Sequence, residues 1–133
     1  MNILFVCKAN RFRSRVAEAI FNHYNKDEKI VVKSAGVRLD PLRDYVASVV
    51  INTLKEKGIK MNDDKSKPFN ENIIKWADKI IIVADNVSPS LFPAEKTEVW
   101  LIPDADESEI NKVKTIIDKI EDKIKEFLKV IKV

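Results

Sequence analysis

The sequence predicts an α/β fold in three layers, with helices on both faces of a four-stranded parallel sheet. Short apolar runs suited to strands alternate along the chain with longer segments whose apolar residues recur every three or four positions, as on one face of a helix. Residues 79–84 are continuously apolar after the first, which is typical of a strand covered on both faces. Connections between such strands are right-handed. The chain has 133 residues, enough for one domain, which we expect to span 1–133.

The first strand, the first helix and the second strand are predicted near the N-terminus. Residues 2–6 are rich in β-branched and aromatic side chains, which favours a strand. Residues 14–24 carry apolar residues at helical spacing, with Ser14 as the predicted N-cap and Glu18 as an acid in the first turn. Residues 29–34 alternate around their apolar side chains and are predicted as the second strand.

The middle of the chain is predicted to hold two helices separated by a polar loop. Gly36 allows a tight exit from the second strand. Residues 42–57 have one apolar helical face, and the predicted helix stops at Gly58. Residues 62–68 are polar and are predicted as a loop, and residues 70–76 are predicted as a short helix.

Two more strands and a long helix complete the prediction. Residues 79–84 form the third strand, and residues 88–93, bounded by prolines, form a turn or one short helix. Residues 98–102 form the fourth strand. Residues 110–131 carry apolar side chains at spacings of three and four, which predicts an amphipathic helix with a solvated charged face.

The only cysteine lies where the first strand gives way to the first helix, and an arginine follows it after five residues. N–H groups at a helix N-terminus lack partners within the helix and favour an anion. Such a position also favours the thiolate form of Cys7, which is the nucleophilic form. Arg13 can hold two oxygens of a tetrahedral oxyanion in a planar fork. With Cys7 at its base, the predicted phosphate-binding loop comprises Lys8, Ala9, Asn10, Arg11, Phe12, Arg13 and Ser14.

Each of the four predicted strands ends in, or is followed by, a polar or reactive residue. They are Cys7, Ser34, Asp85 and Asp104. The carboxyl ends of parallel strands meet at one edge of a sheet, where ligands of open α/β sheets bind. We therefore expect these four side chains to lie near one another.

Residues 3–7, Asn10, Arg13, Ser14 and the run 17–21 form a motif that resembles the signature of the low-molecular-weight protein tyrosine phosphatases. That family also contains thiol-dependent arsenate reductases. The resemblance covers nearly the whole chain, since it continues in Ser34-Ala35-Gly36, in residues 77–85 and in residues 100–104.

The resemblance implies a strand order of 2-1-3-4, with the first strand in the centre. It also implies that Cys7 is the nucleophile and that Arg13 stabilises the transferring group. Asn10 would hold an unusual backbone conformation in the loop, and Ser14 would hydrogen-bond the thiolate and favour its charged form. Ser34 is predicted either to brace the loop or to end its strand in a turn.

Asp104 resembles the family's general acid by its place in Ile102-Pro103-Asp104. One acid can protonate the leaving oxygen and then take a proton from the attacking water. Two alternatives stay open. Asp104 can instead form a turn or cap the last helix, and the neighbouring Asp106 or Glu107 can act as the acid.

Three residues of this chain differ from the family's usual pattern. Ala9 stands where glycine is usual, and Phe12 stands where a second cysteine is frequent. Ala105 stands where proline usually follows the acid, before aromatic residues that sandwich a phenyl ring. An aromatic substrate slot is therefore not evident from the sequence.

The predicted function is metal-independent hydrolysis of phosphomonoesters through a cysteinyl phosphate, with phosphotyrosine in proteins as the expected substrate. No metal or cofactor is expected because the loop supplies the positive field. The expected partner is a phosphorylated protein or a small phosphomonoester, with inhibition by phosphate-like oxyanions. The first alternative is arsenate reduction, which requires an external thiol because the chain has one cysteine. The second is a non-catalytic module that binds phosphate or phosphoproteins.

Composition argues against several other classes of protein. The net charge is +3, but the lysines are interspersed with acids, so neither nucleic-acid nor membrane-surface binding is expected. The sequence has one histidine and one cysteine, which are too few of the usual ligands for a zinc site, so none is expected. The apolar N-terminal run is too short for a signal peptide or a membrane span, so we expect the chain to stay in the cytoplasm.

Overall fold

The structure is a computed structural model that describes residues 1–131. The last two residues of the predicted domain lie outside this range. Within it, four parallel strands form one sheet: β1 (Asn2–Cys7), β2 (Val31–Gly36), β3 (Lys79–Val83) and β4 (Thr97–Trp100). Their order is β2-β1-β3-β4. The predicted order 2-1-3-4 is confirmed, and β1 lies inside the sheet with the loop at its carboxyl end.

Helices cover both faces of this sheet. They are α1 (Arg13–Tyr24), α2 (Ser48–Glu56), α3 (Glu71–Trp76) and α4 (Ile110–Ile131), with 3₁₀ turns at Pro89–Leu91 and Ala94–Lys96. Alternate residues of β1 point to opposite faces. Ile3 and Phe5 join the core built with α1, α2 and α4, whereas Leu4 and Val6 join the core beside α3. The predicted three-layer α/β fold is therefore confirmed.

The second helix is shorter than predicted. It begins at Ser48 because the residues before it pair with a distant segment, and the N–H of Val46 donates to the Asp64 carbonyl over 2.7 Å. These backbone groups are satisfied outside a helix, so helical bonds are not needed there. Leu42, the first apolar residue of the predicted helical face, is 89% exposed. Gly58 follows the helix with a φ of 75°, as predicted for a glycine stop.

The fourth strand ends two residues earlier than predicted, at Trp100. The N–H of Ile102 donates to the Trp100 carbonyl over 2.7 Å, which forms a tight turn that takes the chain out of the sheet. The carbonyl of Ile102 accepts a hydrogen bond from Arg13, so this turn connects the end of β4 to the loop after β1.

Within residues 1–131, none of the helices is both long and apolar enough to span a membrane.

The carboxylate of Glu121 connects three helices. It accepts hydrogen bonds from the Tyr24 hydroxyl of α1 (2.7 Å) and from Lys57 Nζ, which follows α2 (3.0 Å). Burial of Glu121 opposes its ionisation, but the hydrogen bonds from Tyr24 and Lys57 outweigh that effect and lower the pKa of Glu121 below its ordinary value.

Glu121→Gln is expected to lower the free energy of unfolding at pH 7 by about 1–2 kcal/mol. A carboxyl whose folded pKa is depressed stabilises the fold above its unfolded pKa, about 4.3, and this stabilisation is lost as the pH falls through the folded pKa. The difference in Tm between wild type and variant, followed by circular dichroism, should therefore shrink toward about pH 3. Glu126→Gln, at an exposed position of α4, is the control with a smaller difference at pH 7. An equal Tm difference for Glu121→Gln at both pH values would contradict this.

Candidate active site

Two N–H groups of the loop between β1 and α1, those of Lys8 and Ala9, point inward. The carbonyls of Cys7 and Lys8 accept hydrogen bonds from the N–H groups of Val37 (3.1 Å) and Arg38 (2.8 Å), which lie outside the loop. Because the C=O and N–H of a trans peptide point in opposite directions, the N–H groups that follow these carbonyls face into the loop. These two adjacent donors at the start of the loop suit an anion.

Gly36, at the end of β2, packs directly against this loop. A Cβ at this position would lie 2.8 Å from the Ala9 carbonyl carbon and 2.9 Å from the Asn10 nitrogen. The glycine is therefore required by the close approach of the loop backbone, in addition to any role in the exit from β2.

Asn10 has the left-handed backbone conformation in the loop, with a φ of 55°. Asparagine tolerates this region better than most residues. It is the one non-glycine residue with a positive φ in the part of the chain that the structure describes. Ala9 therefore needs no glycine-like conformation, and the loop accommodates the alanine.

The thiol of Cys7 lies at the base of the loop and contacts Ser14. Cys7 is 2% exposed and lines the cleft described below, and its Sγ lies 2.9 Å from Ser14 Oγ. The prediction that Ser14 caps the first helix is wrong: α1 begins at Arg13, and the N-cap residue Phe12 makes no capping hydrogen bond with its side chain. The Ser14 hydroxyl contacts the Cys7 sulfur instead.

Ser34 and Glu18 extend this buried hydrogen-bond network. Ser34 Oγ accepts a hydrogen bond from Asn10 Nδ2 (3.1 Å) and donates one to Glu18 Oε1 (2.6 Å). Ser34 thus contacts the loop directly, as the bracing alternative requires. Glu18 was predicted as an acid in the first helical turn, but that turn contains none, because the helix begins one residue earlier than expected.

Arg13 is buried with its guanidinium held at the ends of β3 and β4. Nη1 donates to the Ile102 carbonyl and Nη2 to Asn86 Oδ1, both over 2.9 Å. Asp85 Oδ1 and Asp104 Oδ2 each lie 3.5 Å from the same group. A guanidinium has five N–H donors, so these two hydrogen bonds fix its plane and leave others for an oxyanion.

Asp104 is the one carboxylate among the three candidate acids that lies beside Arg13. Its side chain is about half exposed at the cleft, and its Oδ1 accepts a hydrogen bond from the N–H of Ala105 (2.9 Å). Asp106 instead caps the turn before α4, and hydrogen bonds from Ser108 hold the pKa of Asp106 below its ordinary value. Glu107 pairs with arginines across the cleft.

The cleft above Cys7 has a volume of about 420 Å³. Carboxylates predominate over guanidinium groups on its walls: Asp40, Asp104, Asp106, Glu107 and Glu109 against Arg11, Arg13 and Arg43. Among the described residues that line it, Phe12 is the one aromatic side chain.

Arg11 lies at the edge of this cleft and is held away from its base. Its Nε donates to the Tyr45 carbonyl (2.9 Å), its guanidinium stacks on the Tyr45 ring, and Nη2 lies 3.4 Å from Glu107 Oε2. Lys8 is exposed. The side chains of Arg11 and Lys8 therefore add charge around the site rather than at the sulfur.

Sequence reasoning missed two residues that the structure brings into this region. Asn86 was not predicted as a site residue, although it follows Asp85 at the carboxyl end of β3 and so lies at the expected edge. Arg15 was predicted only as part of a helix, and it is 2% exposed. Arg15 lies on the side of the predicted helix opposite its apolar residues, so the sequence pattern gave no signal that it is buried.

A parallel α/β sheet that carries a thiol in an anion-binding loop after its first strand defines a class of small enzymes that act on tetrahedral oxyanions. Residues 2–133 match the family model described as low molecular weight phosphotyrosine protein phosphatase. The chain belongs to this family.

Similar proteins in this family are named for different activities. An arsenate reductase of Bacillus cereus is 30% identical over 128 residues, which are 94% of this chain and 92% of the relative. A protein-arginine-phosphatase of Bacillus subtilis (strain 168) is 35% identical over 83 residues, 61% of this chain and 54% of the relative. The crystal structure of a low molecular weight protein tyrosine phosphatase from T. tengcongensis superposes with a TM-score of 0.85 at 27% identity, covering 97% of this chain and 98% of that one.

Proposed function

We propose that this protein is a metal-independent phosphatase that transfers the phosphoryl group of its substrate to Cys7 and then to water. The observation that carries this proposal is the convergence of Cys7, Arg13 and Asp104 on one cleft. These groups supply a nucleophile, a fork for two oxygens and a proton donor, which together suffice for phosphoryl transfer. Hydrolysis of p-nitrophenyl phosphate in the presence of a chelator tests it, and inhibition by vanadate is expected.

In the first step, the Cys7 thiolate attacks phosphorus as the bond to the leaving oxygen breaks. The loop N–H groups and Arg13 neutralise the equatorial oxygens, on which negative charge is spread in the transition state. Asp104, in its acid form, gives its proton to the leaving oxygen. The products of this step are the alcohol or phenol, a cysteinyl phosphate and the Asp104 carboxylate.

In the second step, water attacks the phosphorus of the cysteinyl phosphate and the S–P bond breaks. The Asp104 carboxylate takes a proton from that water, which restores its acid form. Inorganic phosphate leaves, and the sulfur returns to a thiolate stabilised by its contact with Ser14 (2.9 Å).

Asp104→Asn is expected to lower kcat/KM most for substrates with poor leaving groups. General-acid catalysis is worth about 10²–10⁴-fold, so we expect a loss of about 10²-fold or more for phenyl phosphate and less than about tenfold for p-nitrophenyl phosphate, whose phenolate needs less protonation. A plot of log kcat/KM against leaving-group pKa is the measurement, and it should be steeper for the variant.

Asp106→Asn is the matched control for this series. It changes an adjacent carboxylate of the same segment whose side chain binds Ser108. Its plot should keep the wild-type slope. Equal losses for all substrates in Asp104→Asn, or a steeper slope in Asp106→Asn, would show that Asp104 is not the acid.

The expected substrate is a phosphorylated protein, and two phosphorylated side chains are candidates. Phosphotyrosine follows from the family, and Phe12 can line one side of a phenyl ring. Phosphoarginine is favoured by the excess of carboxylates over guanidinium groups on the cleft walls, since carboxylates pair with a guanidinium leaving group. Comparing kcat/KM on peptides of matched sequence that carry phosphotyrosine, phosphoarginine or phosphoserine distinguishes them.

Arsenate reduction is the alternative activity, and it is the one for which several relatives of this chain are named. The same loop can bind arsenate, which resembles phosphate in shape and charge. With one cysteine in the sequence, an external thiol must attack the sulfur of the Cys7–arsenate adduct, which releases arsenite and leaves a mixed disulfide on Cys7. A second external thiol then reduces this disulfide and restores the Cys7 thiolate. Arsenate with glutaredoxin or thioredoxin as the thiol source is the corresponding assay. The non-catalytic binding module is disfavoured by the position of Asp104 beside Arg13.

A further inference from the structure

Arg15 carries a buried guanidinium that the proposed reaction does not use. It is 2% exposed, its Nη1 donates to the Lys65 carbonyl (3.1 Å), and its Nη2 donates to the Asp63 carbonyl. Its Nε, 3.7 Å from Glu18 Oε1, has no hydrogen-bond partner among residues 1–131. Because apolar residues of similar size usually stabilise a core at least as well as a buried ion pair, stability does not by itself account for an arginine here.

Arg15 holds residues 63–67, which we call the bracing segment, and this segment contacts Asn10. The Ser66 hydroxyl donates to the Asn10 carbonyl over 3.0 Å. The N–H of Lys67 donates to Asn10 Oδ1 over 2.8 Å. The bracing segment therefore fixes both the strained backbone of Asn10 (φ 55°) and the orientation of its side-chain amide.

The orientation of the Asn10 amide determines which atoms donate and which accept in its hydrogen bonds with Ser14 and Ser34. Because Asn10 Oδ1 accepts from Lys67, Nδ2 must face the serines, and it lies 2.7 Å from Ser14 Oγ and 3.1 Å from Ser34 Oγ. The oxygen of Ser14 thus accepts a hydrogen bond from Asn10. Its own hydrogen is then left for Cys7 Sγ, 2.9 Å away.

We propose that Arg15 is a positioning residue for phosphoryl transfer. By holding the bracing segment against Asn10, it fixes the direction of the hydrogen bond that Ser14 donates to the sulfur of Cys7. A donated hydrogen bond stabilises the thiolate and keeps it oriented toward the loop. The inference rests on the proposed function in one respect, that the Cys7 thiolate is the nucleophile.

The test uses alkylation of Cys7 by iodoacetamide, which reports the thiolate without substrate or turnover. Arg15→Met keeps an unbranched side chain as far as the position of Nε and removes the hydrogen-bond donors. We expect the ratio of the alkylation rate at pH 6 to that at pH 9 to fall about three- to tenfold, because less thiolate is present at the lower pH. The acid limb of the pH profile of kcat/KM should move to higher pH in parallel. Arg15→Lys, which keeps the charge and part of the hydrogen bonding, should restore part of the ratio.

Lys57→Met is the matched control. It removes a cation that pairs with Asp118 and Glu121, away from the loop, and it should lower stability while leaving the alkylation ratio unchanged.

A folded Arg15→Met protein with the wild-type alkylation ratio would overturn the inference. If that variant does not fold, Lys67→Pro removes the N–H that donates to Asn10 Oδ1 and orients the amide, and an unchanged ratio in that variant overturns the inference equally. Failure of the proposed function would look different, because wild type would then hydrolyse no phosphoester although the alkylation ratio still responded to Arg15.

Discussion

Cys7→Ser is expected to abolish phosphatase activity. The serine hydroxyl is not ionised near neutral pH, so the nucleophile is lost although the loop N–H groups and Arg13 remain in place. We expect kcat for p-nitrophenyl phosphate to fall by at least about 10⁴-fold. The measurement is steady-state hydrolysis in the presence of a chelator, with circular dichroism to confirm that the variant is folded.

A measurement of phosphate binding distinguishes loss of the nucleophile from loss of the anion-binding loop. Titration of the Cys7→Ser protein with inorganic phosphate in a calorimeter should give a Kd similar to or lower than that of wild type, since a neutral hydroxyl repels the anion less than a thiolate does. Retained hydrolysis in Cys7→Ser, or wild-type hydrolysis that requires an added divalent metal, would rule out the thiolate mechanism.

Arg13→Lys is expected to have the second largest effect. Lysine keeps the positive charge, but its ammonium cannot bind two oxygens in one plane, and it cannot reproduce the hydrogen bonds to Ile102 and Asn86 together. We expect kcat/KM for p-nitrophenyl phosphate to fall by about 10²–10³-fold, the range found when a donor to a transition-state oxyanion is removed. The Kd for inorganic phosphate should rise by a smaller factor.

Arg11→Lys is the control for this variant. Arg11 also lines the cleft, but its guanidinium is bound to Tyr45 and Glu107 rather than placed at the base of the loop. The loss of kcat/KM in Arg11→Lys should stay below about tenfold, since a surface ion pair contributes little. Similar losses in the two variants would mean that total charge at the cleft, and not the fork of Arg13, determines activity.

The position of the site could be predicted from the sequence because it depends on local patterns. Cys7 and Arg13 flank a strand-to-helix junction, and Asp85 and Asp104 follow apolar strands, so the topology of a parallel sheet brings them to one edge. The structure places both carboxylates 3.5 Å from Arg13. The order of the strands, in contrast, followed only from the resemblance to a family, because no local pattern specifies which strands are neighbours.

What the sequence did not reveal depends on contacts between residues far apart in the chain. The apolar spacing of residues 42–57 fits a helix, but Val46 pairs with the distant Asp64, so the helix predicted to start near Leu42 was too long. The Ser14 hydroxyl contacts the Cys7 sulfur rather than capping the helix. This contact depends on the folded conformation of the loop, which no local sequence pattern specifies. Arg15 contacts a polar loop about 50 residues away, and neither partner shows a recognisable motif.

Direct detection of the cysteinyl phosphate tests the central proposal most closely. Asp104→Asn should slow hydrolysis of this intermediate because it removes the base that activates water, so the intermediate should accumulate with p-nitrophenyl phosphate, a substrate with a good leaving group. Rapid quenching followed by mass spectrometry should find one phosphoryl group per chain on the peptide that contains Cys7. Rapid turnover with no phosphorylated peptide, or with the phosphoryl group on a residue other than Cys7, would contradict the proposed mechanism.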